Sequence, residues 1–186
     1  ISENEIHAQA GALLSMIANR AMEAELTGFE FAAGIPGTLG GACVMNAGAY
    51  GGEMKDVLET VNVLTRDGDV KTLTKDELEL GYRTSVIAKK DYIVLSAVIR
   101  LENGKKEEIK AVMDDLKEKR ITKQPLEYPS AGSTFKRPEG YFAGKLIQDA
   151  GLRGFQVGGA QVSEKHCGFV VNKDQATAAD VMNLMN

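Results

Sequence analysis

The spacing of apolar and polar positions changes several times along this chain, and each change predicts an element. The opening ISENEIHAQAGA alternates and reads as a strand. Leu13, Leu14, Ile17, Ala18, Ala21, Met22 and Leu26 then recur at helical spacing, which predicts an amphipathic helix over Ala12–Leu26. In LETVNVLTRDGDVKTLT two β-branched runs flank Asp67-Gly68, the signature of a hairpin. Thr74 and Glu77 stand at capping-box spacing and predict a short helix over KDEL. DYIVLSAVIRL, residues 91–101, is a strongly β-prone strand.

Asn103-Gly104 marks the best domain boundary, dividing the chain into 1–103 and 104–186. Beyond it a helix from Lys105 to about Thr122 carries Ile109, Val112, Met113 and Leu116 on one face. A further helix over Tyr141–Ala150 is expected to bury Phe142, Leu146 and Ile147 and to stop at Gly151, a left-handed C-cap. FQVGGAQVS and CGFVVN are short strands, and Thr177 with Asp180 opens a last helix. A sheet-rich first part followed by alternating helices and strands gives the class α+β.

Composition narrows the function classes. A chain of 186 residues that is 44% hydrophobic buries a sizeable core. Its net charge of −4 and pI near 5.3 argue against a general nucleic-acid binder. Locally the balance reverses: between Lys117 and Arg137 six Lys/Arg face only Glu118 and Glu127, a net of +4. That segment is either a solvated helix end and loop or a site for a small anion. Cys43 and Cys167 lack metal or disulfide spacing, and His7 and His166 suggest no metal site, so no metal is expected. No apolar run approaches the roughly 18 residues of a membrane span, and a cytoplasmic protein without membrane contacts is expected. The chain starts without Met and its last helix lacks a stop signal, as expected of a segment of a longer protein.

The stretch GFEFAAGIPGTLGGACVMNAGAYGGE, residues 28–53, is rich in glycine and almost free of charge. It is neither a GxGxxG fingerprint nor a P-loop, since no GK[ST] follows. Successive glycines let backbone N–H groups converge on a phosphate, and a helix starting near Thr38 would add its dipole end. Two consecutive tight turns would also account for such glycines; a cofactor cradle accounts for the low charge as well. In YPSAGSTFKRP, residues 128–138, Ser133 has neither the base nor the oxyanion hole that a nucleophile needs.

Taken together, GIPGTLGGACVMNAGAYGGE, GYRTS at 81–85, SAGSTFKRP at 130–138 and LIQDAGLRGFQVGGAQVSEKHCGFVVN closely resemble the UDP-N-acetylenolpyruvoylglucosamine reductases, the MurB family, over essentially the whole chain. The absence of an insertion after the FAD-domain strand resembles the shorter, type II branch. The resemblance implies a flavoenzyme of peptidoglycan precursor synthesis. NADPH reduces its FAD, and hydride then passes to C3 of UDP-N-acetylglucosamine enolpyruvate, giving UDP-N-acetylmuramate. It further implies that 1–103 is the second subdomain of a PCMH-type FAD-binding domain and 104–186 a small α/β substrate-binding subdomain. By the same resemblance Arg83 is the cation beside the substrate carboxylate, and Ser133 is the donor of a proton to C2. Pro36, Gly37, Thr38, Gly41, Asn46, Gly48 and Ala49 are the FAD cradle, with Tyr82 and Ser85 as further positioning groups. Lys123 and Arg137 match positions near the substrate's diphosphate, although many relatives have Asn at the latter; His166 matches a polar substrate contact and reads equally as an unliganded strand-end histidine.

The family's N-terminal glycine-rich GSN-type motif and its C-terminal LEPEV-type glutamate segment have no counterpart in this sequence, so a catalytically incomplete segment is expected. Two alternatives stand beside this reading. One is another PCMH-type flavin oxidoreductase, which would not need Arg83 and Ser133 in these contexts. The other is a non-catalytic nucleotide-sugar-binding module.

Overall fold

A computed structural model describes residues 1–186. Its backbone divides into two compact units, Ile1–Lys117 and Glu118–Asn186.

In the first unit β1 (Glu5–Gln9) runs into α1 (Leu14–Glu23), followed by the short β2 (Leu26–Thr27). Leu14, Ile17, Ala18 and Ala21 are buried, the expected stripe at helical spacing. Leu13 is the exposed N-cap, so the helix starts later than its apolar pattern. The glycine-rich stretch folds into α2 (Leu39–Met45), the paired β3 (Gly48–Ala49) and β4 (Gly52–Glu53), and one turn of helix, α3 (Met54–Val57). β5 (Leu58–Leu64) and β6 (Val70–Thr74) form the expected hairpin, with Leu64 opposite Val70 and Gly68 at φ 90° in the turn. After α4 (Val86–Lys89) come the long β7 (Ile93–Arg100) and β8 (Glu102–Asn103).

The four long strands make an antiparallel sheet in the order β1-β7-β5-β6, with Ile6 opposite Ile99 and Val61 opposite Ala97. Ile6, Val61, Ala97 and Ile99 belong to a buried core that also holds Leu14, Phe29, Leu39, Met54, Leu78 and Ile87. Burial of each large side chain there is worth about 1.5–3 kcal/mol. The helix expected over KDEL does not form. Glu77 accepts from the Thr74 N–H and hydroxyl, and the Leu78 N–H reaches the Thr74 carbonyl, but Glu79 turns to φ 46° and ends the coil after one turn.

α5 (Lys106–Lys123) contains the division between the units, beyond Asn103-Gly104 at the end of β8. Of its apolar face Ile109 is buried and Val112 is exposed.

The second unit holds β9 (Ser130–Ser133), α6 (Ala143–Asp149), β10 (Gln156–Val157), β11 (Ala160–Val162), β12 (Phe169–Asn172) and α7 (Ala178–Met185). Its strands form an antiparallel sheet in the order β10-β11-β12-β9 around buried Ala160, Val162, Phe169 and Val171. α6 ends as expected: Gly151 has φ 75°, with its N–H on the Gln148 carbonyl and that of Leu152 on the Ile147 carbonyl, a Schellman closure. Its apolar face is not buried, however. Phe142 is 63% and Leu146 47% exposed, because no element of this unit packs over that side. The Thr177–Asp180 capping box of α7 is present. No helix is long and apolar enough to cross a membrane.

Candidate functional site

In the first unit the candidate groups fall at the two ends of α2: Pro36, Gly37, Thr38 and Gly41 at its start, and Asn46, Gly48, Ala49 and the Arg83 turn at its C-terminal end. Its N-terminal end is otherwise engaged: the Leu39 and Gly40 N–H groups donate to the carbonyls of Ala12 and Ala10. A Cβ on Gly40 would lie 3.0 Å from that of Ala10, so this glycine serves close packing. Gly48 and Gly52 serve packing too, since a Cβ would meet the Gly52 carbonyl at 2.7 Å and the Phe31 ring at 2.6 Å respectively. Gly37 and Gly41 differ. Both are exposed; a Cβ at Gly37 would meet nothing within 4 Å, and one at Gly41 only Thr38 Oγ1 at 3.9 Å. The backbone at Gly37 and Gly41, beside exposed Pro36 and half-buried Thr38, therefore leaves room for a flat or phosphate-bearing group, whereas Gly48 is covered by protein.

Asn46 ends α2 in the left-handed region, φ 41°, and is 1% exposed. Its Nδ2 donates to Glu53 Oε2 at 3.0 Å and to the Gly81 carbonyl at 3.1 Å, while Oδ1 accepts from the Lys55 N–H at 2.9 Å. Both amide N–H groups are thus spent within the protein. Ala49, half-buried, pairs with Gly52.

Arg83 sits in a tight turn closed by reciprocal Gly81–Thr84 backbone hydrogen bonds of 3.1 and 3.2 Å. Of the two central residues only Arg83 has positive φ, 55°, the pattern of a type II turn whose second central position favours glycine. Its Nη1 donates to the Asn46 carbonyl at 3.2 Å and Nη2 to the Gly48 carbonyl at 3.1 Å, and its guanidinium lies 5.4 Å from the Tyr82 ring centroid. The sequence thus folds a cation onto the backbone of the glycine-rich stretch and leaves it further N–H donors. Ser85 is fully buried, caps α4 by accepting from the Ala88 N–H, and donates to the Val44 carbonyl, a structural duty.

In the second unit Ser133 is the last residue of β9, exposed and opposite Phe169. Ser130 pairs with Val171, so three steps on β9 face two on β12, and the bulge falls at Ala131-Gly132, where Gly132 has φ 91°. Such a bulge re-aims the following side chain. Thr134 then locks the loop, donating from its N–H to the Gly168 carbonyl at 2.9 Å and accepting from the Val170 N–H at 3.2 Å. His166 flanks the same segment: its Nδ1 accepts from the Gly168 N–H at 3.1 Å, and its ring meets Phe169 edge-on at 4.9 Å. With Nδ1 engaged by the Gly168 N–H, Nε2 is the ring nitrogen left for a further hydrogen bond. The fold therefore brings Ser133 and His166 to the two sides of Gly168-Phe169. Gly144, where a Cβ would lie 2.9 Å from the Gly168 nitrogen, lets α6 approach this segment. Lys123 is the exposed last residue of α5, and the Arg137 guanidinium lies 4.5 Å over the Phe142 ring. The cleft in this unit, about 320 Å³, is lined instead by residues including Tyr128, Gln161, Ser163, Lys165 and Lys173.

The roles of Asn46, Gly144 and Ser163 escaped the sequence reading. Ser163 accepts from the N–H groups of Lys165 and His166 and shapes the turn that presents the histidine. An Asn after a helix, followed by Ala-Gly, was the available signal for a left-handed cap.

Comparison with known proteins bears on both units. The profile of the UDP-N-acetylenolpyruvoylglucosamine reductase C-terminal domain matches residues 124–186, and that of an FAD binding domain matches residues 1–74. The crystal structure of UDP-N-acetylenolpyruvylglucosamine reductase (MurB) from Thermus caldophilus superposes with a TM-score of 0.88 at 39% identity, over 100% of this chain and 68% of that one. The chain belongs to the UDP-N-acetylenolpyruvoylglucosamine reductase family. Relatives bearing that name include those of Agathobacter rectalis, 67% identical over 97% of this chain, and Clostridioides difficile, 57% identical over 100% of it. The chain spans 57% and 61% of the lengths of these two reductases.

Proposed function

We propose that this chain forms part of an FAD-dependent reductase that converts UDP-N-acetylglucosamine enolpyruvate to UDP-N-acetylmuramate, with NADPH as reductant, in the bacterial cytoplasm. The observation that carries this reading is Arg83, a cation in a turn position that favours glycine, fastened to the carbonyls of Asn46 and Gly48. In this reading residues 1–103 are the second subdomain of the FAD-binding domain and 104–186 the substrate-binding subdomain. The names of the relatives support the chemistry, and the open backbone at Gly37 and Gly41 is compatible with a flavin nucleotide.

When bound, FAD supplies the hydride that adds to C3 of the enolpyruvyl group. That addition places negative charge on C2 and its carboxylate. The guanidinium of Arg83, already oriented by two backbone carbonyls, stabilises this charge without reorganising. Ser133 supplies a proton from Oγ to C2. A serine hydroxyl is a weak acid, but a developing carbanion is a far stronger base, so transfer is downhill. Lys123 and Arg137 hold the diphosphate, the first as a point charge and the second through its planar donor fork. His166, whose Nδ1 is taken by the Gly168 N–H, contacts a polar group of the substrate through Nε2.

The test separates the two half-reactions in the full-length enzyme that carries this segment. Ser133→Ala is expected to leave flavin reduction by NADPH near normal and to slow flavin reoxidation by the enolpyruvyl substrate by roughly 10²–10⁴-fold, the usual worth of a general acid. Equal loss in both half-reactions, or no loss in either, removes Ser133 from this role.

A further inference from the structure

Asn46 touches the Arg83 turn at two points. Its side chain donates to the carbonyl of Gly81, the turn's first residue, and its own carbonyl accepts from the guanidinium of the third. The remaining partners tie it to α3, through the Glu53 carboxylate that caps this helix and the Lys55 N–H. Glu53 is itself held, because its N–H donates to Asp56 Oδ2 at 2.9 Å. The chain from the capping box through the buried amide to the turn is continuous. An amide suits this position for two reasons. It needs donors for Gly81 and Glu53 together with an acceptor for Lys55, and asparagine tolerates the left-handed φ of 41°. An aspartate would set a second carboxylate against Glu53 and leave the Gly81 carbonyl without its donor.

We propose that Asn46 is a positioning residue for Arg83: its buried amide fixes the Gly81–Thr84 turn while its carbonyl orients the guanidinium, so that the cation is preset against the substrate's carboxylate. This rests on the role assigned to Arg83 above. Both amide hydrogens of Asn46 are engaged within the protein.

The test uses Asn46→Gly, which keeps the left-handed backbone and deletes the amide, in the full-length enzyme and in an Arg83→Ala background. Four quantities are measured: flavin content, flavin reduction by NADPH, flavin reoxidation by the enolpyruvyl substrate, and substrate affinity from the change in flavin absorbance without NADPH. Expected are stoichiometric flavin, NADPH reduction within about twofold, and substrate reoxidation slowed about tenfold or more with weaker substrate binding, since misplacing a catalytic group by about 1 Å costs up to 10²-fold. In the Arg83→Ala background the same change adds no further loss, as for two residues acting as one unit. Loss of flavin, parallel slowing of both half-reactions, an unchanged substrate rate, or additive losses with Arg83→Ala would each overturn the proposal. Arg83→Ala that by itself spares substrate reoxidation would instead sink the role of Arg83, a separate result. Should Asn46→Gly fail to fold, Asn46→Asp, which retains side-chain shape and an acceptor, is read by the same four measurements.

Discussion

Arg83 shows how a single residue can set a local rule aside. A left-handed backbone costs a non-glycine residue roughly 1–2 kcal/mol. Its two hydrogen bonds to backbone carbonyls, each from a charged donor, return about 1.5–3 kcal/mol apiece, so the arginine is held rather than merely tolerated. Cys43 is the opposite case, a reactive residue type made inert. It lies fully buried in α2, and burial pushes its thiol up to about 12. The thiolate is the species that reacts. Alkylation at pH 8 is therefore expected to leave Cys43 unmodified in the folded protein and to modify it on addition of denaturant. Native-state labelling at the rate of a free thiol, read by mass spectrometry of the Cys43 peptide, would contradict this.

Among the elements, α7 gives the sharpest expectation. Thr177 Oγ1 accepts from the Asp180 N–H at 3.1 Å, and Asp180 accepts from the Thr177 N–H at 2.8 Å and the Gly159 N–H at 3.4 Å. The Thr177 bonds, with a smaller contribution from Gly159, hold the Asp180 carboxyl below its ordinary value of 3.8. A carboxyl depressed in the folded state stabilises it above the unfolded pKa, and that stabilisation is lost as pH falls through the lower folded value. Asp180→Ala should thus lower Tm at pH 6 and converge on the parent protein at strongly acid pH. A Tm difference that persists undiminished there would show that the carboxylate charge is not involved. Thr177→Ala should cost about 1 kcal/mol near neutral pH, the usual worth of an N-cap, and somewhat less at strongly acid pH, since the Thr177 side chain also helps to hold the Asp180 carboxyl down.

At the scale of the molecule, the first unit buries a large mixed core, whereas the second leaves Phe142, Leu146 and Phe155 exposed. The chain spans 57% and 61% of the lengths of its Agathobacter and Clostridioides relatives. A polypeptide confined to residues 1–186 is expected to purify without stoichiometric flavin and without NADPH-dependent reduction of the enolpyruvyl substrate. An absorbance spectrum with one flavin per chain, or measurable turnover, would refute this.

The stripe of α1, the Asp67-Gly68 hairpin, the Gly151 stop and the Thr177 capping box, and with them the α+β class, were legible in the order of residues because each feature is decided by contacts within a few residues. The ordered motifs also pointed to the family. Tertiary structure alone decided what depends on distant partners. The KDEL segment made one turn instead of a helix, as Leu78 was drawn into the core and Glu79 reversed the backbone. The apolar side of α6 stayed open because periodicity marks a face as apolar without supplying anything to cover it. Glycines alike in sequence proved different: Gly40, Gly48 and Gly52 admit neighbours, while Gly37 and Gly41 face open space. For Asn46 only the fold shows side-chain bonds to Glu53, Lys55 and Gly81, pairings that join segments up to 35 residues apart, beyond the reach of any local pattern.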